Sequence, residues 1–319
     1  MRRTATLCIA LLVALSSGPR QANGSQVPKS GEDGVILDLR PCEFGSYDQQ
    51  SGFTKRFYSR DDYNKEKDDP EVSCFRIKYW SDGLRVIGYL VQPRDTSFRR
   101  LPVIIFNRGG FLDLGKLEPF NLIDLQRLSK DGFVVLASQY RGNDGGEGRE
   151  QLGGQDLDDV SNLLNTAKTL PYADTRNVFM YGVSRGGMMT FLAMKRGVHI
   201  NAAAVVGAVY DLAAFRDRAP GLVDKAAELI PNYSEIGMSA LQDRSVIDWP
   251  GAVNVPLLII HGADDEEVPV TEALAFATKL SNLKKTYELI VYADDVHEAA
   301  KNRIDRDSRI TTWFRGYMR

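Results

Sequence analysis

The residues most able to do chemistry in this chain lie between Met180 and Thr190, in the stretch MYGVSRGGMMT. Gly182, Ser184 and Gly186 fit G-x-S-x-G. An apolar run, NVFMY (177–181), leads into the motif, and a second, MMTFLAM (188–194), leads out of it. A strand, a sharp turn and a helix are the context that motif needs. A turn this tight holds the serine in a strained backbone conformation with its hydroxyl facing out. Any side chain at Gly182 or Gly186 would crowd the neighbouring strand or helix. The helix N-terminus also favours negative charge that develops nearby. The chemistry in reach is attack by a hydroxyl on a carbonyl. The bland alternative is a glycine turn whose serine caps a helix.

Serine needs a base to take its proton, and histidine suits that task because it titrates near neutral pH. The sequence has three: His199, His261 and His297. His199 follows Gly197 at the exit of the serine helix and reads as a surface or helix-end residue. His261 ends a strand and opens HGADDEEVP; it reads as a turn-stabilising residue. His297 follows the strand TYELIVYAD. With this nucleophile turn the chain order is serine, then acid, then histidine, so His297 is the base. Asp264 and Asp265 lie in the loop before it, and either could orient the imidazole. DDEE (264–267) also admits a solvated acidic loop or a weak calcium site. Asp294 and Asp295 are too close to His297 along the chain to fold back easily onto its ring.

These groups must be carried to one place, and the surrounding pattern indicates how. VSCFRIKYW and LRVIGYLVQ flank Ser-Asp-Gly and read as an antiparallel pair. LPVIIFN (101–107) and FVVLASQY (133–140) are short continuous apolar runs, as in strands buried on both faces. NVFMY, AAAVVGAV (202–209), VPLLIIHG (255–262) and TYELIVYAD (286–294) extend the series. Helical stretches alternate with them, among them NLIDLQRLSKDG and DLDDVSNLLNTAKTL, the latter with acids in its first turn. The expected fold class is α/β, with about eight strands in a mostly parallel sheet and helices on both faces. Ligands of such sheets bind beyond the carboxyl ends of the strands, where Ser184, Asp265 and His297 would emerge. Residues 211–250 are too long for a simple connection and read as a short cap.

The first 24 residues differ from the rest. Arg2 and Arg3 precede the apolar stretch Leu7–Leu15, and a polar exit ends in Ala22-Asn23-Gly24. This is the layout of a secretory signal peptide cleaved before Ser25; the alternative is an anchor that stays on. The expected location is secreted or periplasmic, with no membrane attachment after signal removal. Residues 25–70 are polar and aperiodic and read as an N-terminal extension, with the catalytic domain over 71–319. The formal net charge of −2 provides no basic stripe for nucleic acid. Cys42 and Cys74 remain after the leader, and a disulfide or two buried thiols fit equally well.

Five stretches together resemble the catalytic domain of prolyl-oligopeptidase-type serine peptidases, within the α/β-hydrolase superfamily. They are YRGNDGGEG (140–148), GVSRGG (182–187), RSVIDWP (244–250), VPLLIIHGADDEEVP (255–269) and YADDVHEA (292–299), in family order. The family loop reads His-Gly, two residues, Asp, two residues, Val-Pro, so the resemblance selects Asp265 as the acid. It assigns Ser184 as nucleophile and His297 as base. It implies oxyanion donors in the backbone N–H of Arg185 and in that of Gly109 or Gly110, from FNRGGF (106–111). Related enzymes often have His-Gly-Gly where this chain has Arg108-Gly109-Gly110. Peptidases of the family usually carry an N-terminal β-propeller, for which the stretch before Val72 is too short. Arg141 and Glu147 at the rim are expected to form an internal ion pair that shapes the loop, the alternative being that they read a substrate charge.

The reading is an exported serine hydrolase forming an acyl-enzyme, with a small-molecule or short-peptide substrate and no metal or other cofactor. Its first form is a prolyl-oligopeptidase-like peptidase acting on small peptides or aminoacyl amides. A carboxylesterase acting on small esters is the alternative within the class. A catalytically silent binding protein on the same fold is the alternative outside it. The sequence leaves the oligomeric state open.

Overall fold

A computed structural model describes residues 32–97 and 100–319; the expected leader, residues 1–24, lies outside the described residues. The chain begins with strand β1 (Ile36–Pro41) and helices α1 (Gly52–Phe57) and α2 (Arg60–Lys67). Strands β2 (Val72–Ser81), β3 (Leu84–Pro93) and β4 (Leu101–Asn107) follow, then α3 (Pro119–Lys130), β5 (Val134–Ser138) and α4 (Asp156–Thr169). Next come β6 (Ala173–Val183), α5 (Arg185–Lys195) and β7 (Ala202–Val206). Four short helices form the segment read as a cap: α6 (Leu212–Arg218), α7 (Pro220–Ala227), α8 (Tyr233–Ile236) and α9 (Met238–Gln242). The chain closes with β8 (Leu257–Gly262), α10 (Val270–Asn282), β9 (Tyr287–Tyr292) and α11 (Arg303–Arg315).

Among the described residues, nine strands form one sheet in the order β1-β2-β3-β5-β4-β6-β7-β8-β9. The three pairings from β1 through β3 to β5 are antiparallel, and the remaining five are parallel. Side chains alternate across a strand, so neighbours in sequence serve opposite faces. Val103 and Ile105 of β4 join a core with α4, α5 and α10, whereas Ile104 and Phe106 join one with α3 and α11. β5, β7 and β8 divide their residues in the same way. This explains why the central strands read as unbroken apolar runs.

The ninth strand, β1, lies where the sequence shows no period. It is an edge strand, paired only to β2, with Leu37 and Leu39 turned to solvent. Cys42, at its end, is joined to Cys74 of β2 by a disulfide, with Cα atoms 5.4 Å apart. α1 and α2 start at serine caps, Ser51 accepting from the N–H of Thr54 and Ser59 from that of Asp62. They then pack Tyr58 and Tyr63 against Phe120 and Ile123 of α3. Among the described residues, no helix is long and apolar enough to cross a membrane.

Candidate active site

β6 runs buried to Val183, and Ser184 then takes φ 54° and ψ −124° before α5 begins at Arg185. Positive φ is costly for a side-chain-bearing residue and persists only where the surroundings impose it. Here they do. The Ser184 N–H donates to the carbonyl of Val206 at 2.9 Å, and its own carbonyl accepts from Gly187 at 2.9 Å. The flanking glycines are required sterically: a Cβ on Gly182 would lie 2.2 Å from the carbonyl oxygen of Gly186, and one on Gly186 1.8 Å from that of Asn107. Ser184 is the single partly exposed residue in an otherwise buried run from Tyr181 to Met194.

The acid and the imidazole come from the loops after β8 and β9. His297 Nδ1 donates to Asp265 Oδ2 at 2.8 Å. Asp265 is buried, and its Oδ1 accepts the N–H groups of Glu267 and Val268 at 2.9 and 2.8 Å. Burial opposes its charge, but hydrogen bonds from His261 and His297 outweigh that and hold the carboxyl well below the usual carboxylate range. Burial would lower the pKa of His297. The hydrogen bond and charge of Asp265, aided by Glu267 and Glu298, instead raise it to about 9. Asp264 does not contact the ring and is exposed.

Several residues hold this pair in place. His261 is fully buried; its Nε2 donates to the carbonyl of Val268 at 2.8 Å and lies 3.2 Å from Asp265 Oδ2, so it braces the acid's loop. Asp295 binds backbone instead of the ring. It accepts N–H groups of Val296, Lys301 and Asn302 and so fixes the loop that carries His297. A Cβ on Gly207, at the end of β7, would stand 3.2 Å from the His297 ring and 3.3 Å from Asp265 Oδ2. The pair is therefore seated against the strand next to the serine.

Ser184 and His297 line one cavity of about 500 Å³. Ser184 Oγ makes no hydrogen bond among the described residues, and His297 Nε2 lies 3.7 Å from Glu267 Oε2. Gly109 also lines the cavity, and a Cβ there would lie 3.1 Å from Ser184 Cβ. Neither the Gly109 nor the Gly110 N–H is engaged by another described residue. The Arg185 N–H opens α5, where the helix itself offers no acceptor. The cavity wall is otherwise largely apolar, with Phe106, Phe111, Met188 and Val209 from the sheet side and Leu212, Phe215 and Val223 from α6 and α7.

One expectation about side chains needs correcting. Arg141 and Glu147 do not pair with each other. Arg141 binds Asp159 and Asp82 at 2.8 Å, and Glu147 binds Arg85. The Arg185 side chain is buried in an ion cluster. It pairs with Glu150, with Asp156 at 2.8 Å and with the carbonyl of Gly110 at 2.8 Å. Arg108 turns inward as well, donating to the carbonyls of Gly109, Leu112 and Gln139, and lies 3.6 Å from Glu150. Its guanidinium folds the glycine loop from behind. Glu150 and Asp156 were not legible as site residues, because no motif marks them and their partner Arg185 lies 35 and 29 residues away in sequence. Among the described residues, no group of three or more His, Cys, Asp or Glu converges as metal ligands would.

Comparison with known proteins places this geometry in a family. Residues 120–319 match the model of the prolyl oligopeptidase family. The uncharacterized peptidase YtmA of Bacillus subtilis is 29% identical over 227 residues, spanning 71% of this chain and 86% of that one. The acylamino-acid-releasing enzyme of Sus scrofa is 25% identical over 71% of this chain but only 32% of its own length. The solved acylaminoacyl peptidase of Pyrococcus horikoshii superposes with a TM-score of 0.65 at 20% identity, covering 79% of this chain and 43% of that one. The chain thus spans nearly all of one relative and less than half of the larger ones. With a family match over more than half its length, this chain belongs to the prolyl oligopeptidase family and is a serine hydrolase on an α/β-hydrolase fold.

Proposed function

We propose that this chain is an exported serine peptidase acting on small peptides or aminoacyl amides through Ser184, Asp265 and His297. Ser184 Oγ attacks the carbonyl carbon while His297 Nε2 takes its proton and passes it to the leaving amine. Asp265 holds Nδ1–H, fixes the tautomer and stabilises the imidazolium. The N–H groups of Arg185 and of Gly109 or Gly110 receive the oxyanion. The resulting acyl-enzyme is released by water, activated by the same imidazole. No metal or other cofactor enters this scheme. The observation that carries the reading is the 2.8 Å bond from His297 to Asp265, with His297 and Ser184 on the wall of one cavity. The bond between Ser184 and His297 is assigned to the substrate complex, since catalytic hydrogen bonds are often long in free enzymes.

Residues 71–319 are read as the catalytic domain and about 211–250 as its cap. Export rests on the leader pattern of residues 1–24 and on the Cys42–Cys74 disulfide, a feature of oxidising compartments. A mature N-terminus at Ser25 on protein recovered from periplasm or medium checks it, and a cytosolic full-length product would count against it.

A fluorophosphonate probe tests the chemistry. Purified wild-type protein labels; Ser184→Ala does not, and His297→Ala labels far more slowly. Hydrolysis should fall by roughly 10⁴–10⁶-fold in Ser184→Ala. Unchanged labelling in either variant removes the assignment, and a wild type that fails to label favours a silent binding protein. Turnover of esters but of no aminoacyl or dipeptidyl amide makes it a carboxylesterase.

A further inference from the structure

Glu298 follows His297 directly and lines the same cavity as Ser184. Its backbone is left-handed, at φ 67° and ψ 4°. Such a conformation is uncommon for a residue with a long side chain, and retained strain of this kind clusters at functional sites. The strain is fixed from outside, because Arg306 donates to the Glu298 carbonyl at 2.8 Å. The carboxylate, in contrast, has no hydrogen bond and no ion pair among the described residues. Arg306 does not serve it: its guanidinium is committed to that carbonyl, to Asp124 and to Asp307. Burial pushes the Glu298 carboxyl upward, a cost that a cation in the cavity would offset.

Glu298 shares this wall with other charged groups, Arg108, Asp113, Lys116, Glu118, Arg185 and Glu267. Arg108 and Arg185 line the cavity but are 1% and 5% exposed, with their guanidinium groups taken up by carbonyls and by Glu150 and Asp156. Lys116 is half-buried and lies 3.7 Å from the exposed carboxylate of Asp113. Glu267, also on this wall, adds a second carboxylate near His297. Glu298 does not line the separate acidic groove formed by Asp264, Glu266 and Glu267 with Phe53 and Arg56. It shares its cavity with Ser184, where it can meet a group of a substrate held there.

We infer that Glu298 binds the free α-ammonium group of the substrate's acyl residue, so that the enzyme prefers apolar aminoacyl compounds with an unblocked N-terminus over N-acylated ones. The inference rests on the serine-hydrolase reading above and names the substrate class of that same site. The apolar wall from Phe106, Phe111, Leu212 and Phe215 receives the side chain while the carboxylate receives the amine.

The test compares Phe p-nitroanilide with N-acetyl-Phe p-nitroanilide, and Phe methyl ester with its N-acetyl counterpart, at pH 7. The ester pair keeps the test valid if the enzyme cleaves only esters. Wild type should favour the free amine by about 10–100-fold in kcat/KM, the range for a hydrogen bond to a charged group. That ratio should collapse toward one in Glu298→Gln, which keeps the side-chain shape, and in Glu298→Gly, which also relieves the backbone. Thermal melting of both variants checks folding. A role confined to loop geometry would leave the ratio intact in at least one of them. Equal turnover or preference for the acetylated partner in wild type overturns the inference, as does a ratio unmoved in either variant. If Ser184 labels with fluorophosphonate but neither pair is cleaved, the inference fails while the hydrolase reading stands. Without labelling, both fall.

Discussion

His297 sits between opposed influences, and pH decides which form a substrate meets. Desolvation favours the neutral ring, whereas Asp265, Glu267 and Glu298 favour the imidazolium and bring the pKa to about 9. The base must be neutral to accept the serine proton, so kcat/KM of the free enzyme should climb with pH through the range below about 9. Glu267 is mostly exposed and sits 3.7 Å from Nε2. Glu267→Gln should move the ascending limb to lower pH, and added salt should move it the same way in wild type. A limb that stays put in both experiments would mean that Glu267 does not act on the ring. The linkage has the opposite sign for stability. A raised folded-state pKa gives stability that is full below about pH 6.5, the unfolded value, and is lost as pH rises through about 9. At this scale the sequence singles out Ser184 and His297 by a turn motif and a chain order, and the structure sets both on one cavity wall. The sequence does not single out Glu298, whose left-handed backbone is visible only in the fold.

The elements differ in how far their sequences betray them. β4, β5 and β7 are buried on both faces, so each reads as a continuous apolar run. β1 is an exposed edge, ILDLRP, with no clear period and a proline end, and its strand conformation comes from pairing with β2 instead of from its own pattern. The disulfide between Cys42 and Cys74 supplies what that edge lacks in buried area. The two cysteines are 32 residues apart, a loop whose closure should stabilise by about 3–4 kcal/mol. The double substitution Cys42→Ser, Cys74→Ser should lower the unfolding free energy by that order in urea titrations. Wild-type protein should show no titratable thiol among these two until it is unfolded and reduced. Loss of less than about 1 kcal/mol would mean that the edge strand is held by pairing alone.

Across the whole molecule, the Gly109–Gly110 loop and the Ser184 turn are joined by one buried ion cluster. Arg185 from α5, Asp156 from α4, Glu150 from the rim loop and Arg108 from the end of β4 meet around Tyr140, whose ring lies 4.8 and 5.0 Å from the two guanidinium carbons. Removing one member strands the others without water. Arg185→Met should therefore destabilise by about 3–5 kcal/mol, although a well-packed apolar replacement of the entire cluster need not. Calorimetry on Arg185→Met, Glu150→Gln and the double variant measures this, and additive losses would disprove a shared cluster. The cluster was illegible in the sequence because its members come from four segments and each also fits a surface role. The N-terminal stretch makes a comparable connection. Ser51 and Phe53 lie on the cavity wall, Phe53 packs 5.0 Å from Phe120, and Tyr58 hydrogen-bonds Asp124 at 2.6 Å. A shortened protein starting at Val72 would keep every sheet strand except β1, yet the cavity shared by Ser184 and His297 would lose Ser51 and Phe53 from its wall.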